Sequence, residues 1–367
     1  MGKLLGFLFV LVLLAAGATG AGWFWLNSVY SGAGPVNADG KPYVVVVARG
    51  ASTQAIATKL QEAGAIADAE QFRLALRMRE FMGDKPVMKA GEYEIASGAS
   101  METIVKDLST GAPLQYAVIV PEGLSVAQIL DLLKAHEWKA TGGPDRTYKL
   151  DGDAPKDNAE GTLLPGDYAV SRGDTIGDVI DRMAKAQKDL LAEIWDARDT
   201  NTLAMQWDKP QRAEPVKTQM EAIILASVVE KETGNMDEQP MVAAAMVNRL
   251  ILGMRLQADS TTIYGITKGV PIGRSITSKE LAERTAWNTY QIDGLPQTAI
   301  CNPGAGAIRA VLKPAKSKAL YFVADGKGGH VFAESYAEHA KNVDAYWKLR
   351  KANEAAGVNT PAVKQPQ

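Results

Sequence analysis

The chain has 367 residues, 46% of them hydrophobic, with a formal net charge of −2. That is enough apolar content to bury a sizeable core in one large domain or two ordinary ones, which excludes disorder as the main state. No basic block or stripe stands out, so nucleic acid is excluded as a partner, and the single cysteine, Cys301, excludes an internal disulfide framework.

The first element is apolar. Leu4 to Leu26 reads "LLGFLFVLVLLAAGATGAGWFWL" without a charge, and a run of roughly 20 such residues is long enough to cross a bilayer core. Trp23 and Trp25 fall where an interfacial aromatic belt would sit, and Lys3 on the short side orients the rest of the chain away from the cytoplasm. A cleaved signal peptide is the alternative, with "AGA" at Ala16 to Ala18 as its cleavage site, although the uncharged run continues past it. No cysteine follows the apolar segment, so a lipoprotein anchor is excluded.

"SGAGPVNADGKP", Ser31 to Pro42, reads as a turn-rich spacer, and "YVVVV", Tyr43 to Val47, as a buried strand. A repeat follows. Segments starting at Gly50, Gly98, Gly123 and Gly173 each place Ser or Thr two residues on, and large apolar residues six and ten residues on. Ser52, Ser100, Ser125 and Thr175 read as helix N-caps, and apolar residues four apart share one helical face. Two copies are preceded by matching strand text, "AGEYEIAS" and "PGDYAVSR", which aligns Tyr93 with Tyr168 and Ile95 with Val170. The spacing predicts an internally repeated strand, turn and capped helix. Over Tyr43 to Gly111 this pattern resembles the LysM family of peptidoglycan-binding modules.

Residues 141–161 read as a solvated loop. Their acidic residues superficially suggest a calcium loop, but the glycine at the sixth position and the terminal glutamate are missing. Helical texture resumes from Thr175 to about Ala197, and the last fifteen residues, 353–367, read as a disordered tail.

The sequence holds no nucleophile elbow, phosphate loop or zinc-binding H-E-x-x-H, and its only histidines are His136, His330 and His339. Cys301 reads as a small buried residue. Carboxylates remain. "AIILASVVEKETGN", Ala222 to Asn235, is apolar on every side and then ends in Glu230, Lys231 and Glu232, so it predicts a central helix carrying charge at its end. Partial desolvation there raises a carboxyl pKa and makes a candidate general acid. At about 100° per residue the two glutamates point roughly 200° apart, and Glu232 falls about 40° from Val228 on the inward side. The alternative is that both simply pair with Lys231 or Arg249 near the helix end.

The text that follows, "SVVEKETGN…VAAAMVNRLILGMRLQADSTTIYGI…TAWNTYQIDGLPQTAICNPG…YFVADGKGGHVFAES", resembles the membrane-anchored endolytic murein transglycosylases of the YceG-like type. "EGTLLPGDYAV" at Glu160 resembles another element of that family. The resemblance implies an α+β chain with an N-terminal transmembrane helix (1–30), a spacer (31–42), a LysM-like module (43–115), a catalytic domain (116–352) and the tail (353–367). It implies Glu232, the glutamate of the "KET" triplet, as catalytic acid, and Asn248, Gln257, Asp259, Tyr264, Asn288 and Tyr290 as substrate-binding residues. Two places depart from the family: Ala258 and Ser260 in "LQADST", where other small or turn residues are usual, and Gln297, where a second proline is common. The implied reaction is non-hydrolytic cleavage of the MurNAc–GlcNAc β-1,4 bond within glycan strands, without metal or cofactor. Implied partners are peptidoglycan strands, the cytoplasmic membrane and peptidoglycan synthases. Read without the catalytic helix, the same repeats and anchor would make a non-catalytic peptidoglycan-binding scaffold, and a water-adding muramidase is the other alternative.

Overall fold

A computed structural model describes residues 2–141, 147–152 and 159–355. In chain order it contains α1 (Gly2–Ser31), β1 (Tyr43–Val47), α2 (Thr53–Glu62), α3 (Ala69–Phe81), β2 (Gly91–Ile95), α4 (Met101–Thr110), β3 (Gln115–Val120), α5 (Val126–Ala135), β4 (Glu137–Lys139), β5 (Thr147–Lys149) and β6 (Gly166–Ser171). It continues through α6 (Ile176–Ile194), α7 (Thr200–Ala204), α8 (Gln219–Glu232), α9 (Gln239–Ile251), α10 (Asp259–Thr267), α11 (Ser278–Ala282), α12 (Ala305–Leu312), β7 (Tyr321–Ala324), β8 (His330–Ala333) and α13 (Tyr336–Ala355). The architecture is α+β, and its strands occur in pairs: β1 with β2, β3 with β6, β4 with β5, β7 with β8. Two compact units share the chain, one formed by Met1–Val118, Glu137–Asp151 and Ala169–Asp174, the other by Ile119–His136, Gly152–Tyr168 and Thr175–Gln367.

In the first unit the β-branched run at β1 pairs antiparallel with β2, Val45 opposite Tyr93 and Val47 opposite Gly91. Val45, Val47 and Ile95 pack with Ile56, Leu60, Phe72, Ile104 and Leu108 from α2, α3 and α4. The last turns of α1 join that core through Leu26 and Tyr30, with the Arg79 guanidinium 4.9 Å over the Tyr30 ring. Residues 31–42, expected as a spacer, run along the Gly98 turn: Gly34 donates to the Gly98 carbonyl at 3.1 Å and Gly98 to that of Pro35 at 2.8 Å. In α1 the side chains of residues 3–5, 11, 12 and 15 lie outside the described residues, and among the described residues no helix is long and apolar enough to cross a membrane.

The four repeats have one local geometry. Gly50, Gly98, Gly123 and Gly173 all adopt positive φ, from 70° to 100°, a conformation open to glycine at little cost. Two residues later Ser52, Ser100, Ser125 and Thr175 each accept a hydrogen bond from the backbone N–H three residues on, which satisfies an otherwise orphaned helical donor. The apolar pairs Ile56/Leu60, Ile104/Leu108, Ile129/Leu133 and Val179/Met183 are all buried. The paired strand texts match down to side-chain bonding: the Tyr93 hydroxyl donates to the Lys89 carbonyl and that of Tyr168 to the Leu164 carbonyl, each four residues back. Gly91 and Gly166, each two residues before its tyrosine, share φ near 145°, at 142° and 149°.

The expected loop over 141–161 is corrected in part. Thr147–Lys149 forms β5, antiparallel to β4, with Tyr148 opposite Trp138. Both side chains are buried, and three-residue strands are too short to show alternation against an acidic, glycine-rich background. Residues 142–146 and 153–158 of that expectation lie outside the described residues. The expected tail begins late, because α13 extends to Ala355, and 356–367 lie outside the described residues.

The second unit is built on α8. Thr218 and Glu221 form a capping box at its start, and every residue from Ala222 to Val229 is buried. The helix packs against α9 and α12, whose Val242, Ala243, Met246, Ile308 and Val311 belong to the same core. Small residues on α9, Ala243 to Ala245, allow close approach of the helices. From this packing the end of α8 is fixed in place.

Candidate active site

Glu232 is the last residue of α8 and is 7% exposed. Its Oε1 accepts a 2.7 Å hydrogen bond from Ser260 Oγ in the first turn of α10. The strand-like entry to α10 is held in a constrained shape: Gln257 has φ 53° although it carries a side chain, a left-handed conformation that persists only where neighbours enforce it. They do so here. The Gln257 amide donates to the Thr289 carbonyl, the Ala258 amide to Thr289 Oγ1, and Thr262 Oγ1 to Asn288 Oδ1 at 3.0 Å. The Tyr290 hydroxyl donates to Asp259 Oδ1 at 2.8 Å. Burial first, then the Asp259 and Glu232 carboxylates, push the Tyr290 phenol well above its ordinary pKa.

Arg249 completes this corner from below. Its guanidinium is buried and donates to the carbonyls of Leu320 and Leu256, both at 2.7 Å. Burial lowers its pKa, and Tyr321, Tyr290 and Glu232 work in the opposite direction.

A cavity of about 240 Å³ opens beside Ser260 and Tyr264, with Gly123, Gln128, Lys231 and Ile300 among its other walls. Lys231 Nζ donates to the Gly123 carbonyl at 3.2 Å. Tyr264 packs at 6.0 Å from the Trp287 ring, over which Lys268 Nζ lies at 3.1 Å, so one side of the site is aromatic with a cation resting on it.

Of the residues expected from sequence, Glu232, Gln257, Asp259, Tyr264 and Tyr290 converge on α10 and the 288–290 turn. Asn248 and Asn288 hold backbone instead. Asn248 Nδ2 donates to the carbonyls of Ser317 and Ala319, and its Oδ1 accepts from Trp207 Nε1. Asn288 Nδ2 donates to the carbonyls of Glu280, Leu281 and Glu283, so it shapes the loop that leads to Tyr290. Glu230 lies on another side of α8, half-buried, where it accepts from the Gly304 amide at 3.1 Å. Burial and then the Glu122 carboxylate raise its pKa against that bond. A Cβ on Gly304 would meet the carboxylate of the exposed Glu122, which would have to swing aside to admit it. Cys301 is buried, its thiol directed to the Ser227 carbonyl at 3.4 Å. His330 bonds Glu238 through both its amide and Nδ1. Among the described residues no group of three or more His, Cys, Asp or Glu side chains could hold a metal ion.

Three residues of the site carry no functional expectation from the sequence. Ser260 stands in the sequence only as a departure from the family pattern in "LQADST", with no role attached to it. Asn302 is a bracket: Oδ1 accepts from the amides of Gly161 and Leu163, both at 3.1 Å, while Nδ2 donates to the Leu124 carbonyl and to Glu160. Glu160 stood in the quoted "EGTLLPGDYAV" element. Its two oxygens accept from the Val126 amide at 3.2 and 3.1 Å, and it is hydrogen-bonded to the Tyr264 hydroxyl. Burial raises the Glu160 carboxyl to about 7, and the Val126 and Tyr264 bonds only partly oppose it. Tyr264 in turn is pushed up to about 12 by burial and by Glu160.

The family model described as the YceG-like family matches residues 45–345. An endolytic murein transglycosylase of Streptococcus pneumoniae serotype 2 is 27% identical over 381 residues, which cover 92% of this chain and 64% of that protein. Another endolytic murein transglycosylase, from Bacillus subtilis, is 27% identical over 335 residues, 85% of this chain and 87% of its own length. This chain thus spans 64% of the length of its pneumococcal relative. A crystal structure of a yceG-like protein from Listeria monocytogenes aligns with a TM-score of 0.46 and 25% identity, over 82% of this chain and 98% of that one.

Proposed function

The chain belongs to the YceG-like family, and from that membership and the carboxylate site we propose that it is an endolytic murein transglycosylase, a lyase cutting within peptidoglycan glycan strands. The observation that carries the reading is Glu232: a buried carboxylate at the end of a rigid helix, held by Ser260 at the edge of a cavity. The names borne by the pneumococcal and Bacillus relatives support the same activity.

In the simplest scheme Glu232 gives its proton to the oxygen of the MurNAc–GlcNAc β-1,4 bond as that bond breaks. The C6 hydroxyl of the same MurNAc attacks its anomeric carbon, and its proton leaves to the glutamate. The product is a 1,6-anhydroMurNAc end, and no water is consumed. An ordinary glycosidase needs a second carboxylate for its nucleophile or base; here the sugar supplies the nucleophile itself, and the scheme uses no cofactor. Asp259 with Tyr290, Gln257 and the aromatic pair Tyr264 and Trp287 are suited to hold a distorted ring, since aromatic faces and fixed polar groups both favour bound sugar over water. Asn248 and Asn288 shape this site from behind through their backbone bonds.

The same reading extends to the N-terminal part. The charge-free run from Leu4 to Leu26 supports an anchor in the cytoplasmic membrane with the body on the outer side. Supporting retention over cleavage, α1 continues past Ala18 and its Leu26 and Tyr30 are core residues of the first unit. Residues 43–115 form a LysM-like module in this reading. Anchoring confines cleavage to new strands near the membrane, where peptidoglycan synthases work, so the enzyme would set strand length.

The full-length protein in detergent, incubated with purified sacculi, should release fragments with anhydro ends by mass spectrometry. Products heavier by one water would make it a muramidase. Glycan binding without any product would make it a scaffold.

A further inference from the structure

The cavity has a second carboxyl group behind it, reached through the same face of α10 as the first. Ser260 and Tyr264 both line it, and being four residues apart on α10 they stand about 6 Å from one another along one face. Ser260 is bonded to Glu232, Tyr264 to Glu160. Each hydroxyl on the cavity wall is therefore backed by a largely buried carboxyl group.

Resting on the transglycosylase reading above, we propose that Tyr264 and Glu160 form the second proton path of the site, taking the proton of the attacking hydroxyl while Glu232 protonates the leaving oxygen. The step balances. The Glu232 carboxyl loses its proton to the glycosidic oxygen, and the C1–O4 bond breaks with its electron pair going to that oxygen. The C6 oxygen forms the O6–C1 bond, its proton passes to the Tyr264 oxygen, and the Tyr264 proton passes to the Glu160 carboxylate. Solvent then returns the proton from Glu160 and recharges Glu232. Tyr264 touches the substrate, and Glu160 is a positioning residue that acts through it.

The surroundings suit Glu160 to this role. Facing it are the Val126 amide at the start of α5, the Asn302 amide and the Tyr264 hydroxyl of α10. Cys301 lies near enough to act on Tyr264, and Lys231 of α8 lines the same cavity with its ammonium on the Gly123 carbonyl. No cation bonds the Glu160 carboxylate in this set, so burial governs its proton, and a carboxyl near neutrality is a competent acceptor for a hydroxyl proton. Tyr264, with a phenol well above neutral pH, stays protonated and relays rather than stores charge. A structural role alone, capping α5, would require only the Val126 contact.

The test is a set of pH–rate profiles on sacculi for the full-length wild type, Glu160→Gln and Tyr264→Phe, with melting temperature and KM measured alongside. Expected for the wild type is a kcat that falls on the acid side of about pH 7, as Glu160 takes up its proton. Both variants should lower kcat by about 100-fold, leave KM nearly unchanged and flatten that acid limb. If Glu160→Gln does not fold, Tyr264→Phe decides, because it leaves the Val126 and Asn302 bonds to Glu160 in place. Either folded variant with wild-type kcat and an intact acid limb overturns the second path while the transglycosylase reading stands. A wild type that yields no cleaved glycan overturns both.

Discussion

The capped turns and the carboxylate site are both made from short polar side chains, yet the bonds reach very different distances along the chain. Ser52, Ser100, Ser125 and Thr175 each bond an amide three residues away. At the site Ser260 reaches Glu232 across 28 residues, Val126 reaches Glu160 across 34, and Gly161 reaches Asn302 across 141. A local cap can be lost with little consequence beyond its own helix. A bracket that joins distant segments carries the position of everything bonded to it, and its loss leaves buried donors without acceptors.

The largest effect should therefore follow removal of Asn302. Asn302→Ala leaves the Gly161 and Leu163 amides without their acceptor in a buried setting, and releases the Leu124 and Glu160 contacts. A loss of about 3 kcal/mol in unfolding free energy is expected by denaturant titration, together with loss of activity, since the segment carrying Glu160 is no longer fixed. A variant as stable as wild type would mean that the long-range bonds are no more costly to break than the local ones.

The pH dependence of stability sharpens the same contrast, because the hydroxyls that cap the turns do not titrate, whereas the site holds a carboxyl raised by burial. Burial raises Glu160 from 4.5 to about 7 in the folded chain. Between those values the native state holds a proton that the unfolded chain has released, so stability falls as pH rises through that window and the loss is complete above it. Glu230, raised by burial and by Glu122, adds in the same direction. The melting temperature of Glu160→Gln should accordingly fall less between pH 5 and pH 8 than that of wild type, and parallel curves would place the pH-sensitive group elsewhere.

This difference in reach also separates what could be read from the sequence from what could not. Glycine, cap and apolar pair lie within eleven residues of one another in each repeat, so a pattern search sees the whole unit. The central helix was legible for the same reason, and helical phase set Glu232 apart from Glu230, which the structure finds at 7% exposure and half-buried respectively. Phase says nothing about partners. Ser260 and Asn302 are ordinary polar residues until α8, α10 and the 302 segment are packed together. An asparagine reads the same whether its amide faces a cavity or holds carbonyls, and for Asn248 and Asn288 it is the carbonyls. The β4–β5 hairpin was hidden by its brevity, and only the Trp138–Tyr148 pairing reveals it.

A smaller effect is expected at Ser260. Ser260→Ala removes the hydroxyl that fixes Glu232 Oε1 but deletes little volume and leaves the carboxylate on its helix. A loss of one such hydrogen bond, about 1.4 kcal/mol, corresponds to roughly tenfold in kcat. Stability should barely change. An unaltered kcat would show that the end of α8, rather than its bond to α10, sets the orientation of Glu232.

The smallest effect tests the local side of the contrast. Ser100 accepts from the Thr103 amide at 3.1 Å and its neighbourhood is partly open to solvent. Ser100→Ala should cost about 1 kcal/mol, and Ser100→Asp should recover most of it, because an aspartate accepts the same bond and favours the helix N-terminus. Two units need not unfold in one step, so hydrogen exchange is the sharper probe. Amides in the first turn of α4 should exchange faster in Ser100→Ala, while those of α8 and α10 keep their protection. Faster exchange spreading to α8 would mean that this cap, three residues in reach, supports the site as well, and the distinction between local and long-range polar bonds would fail in this protein.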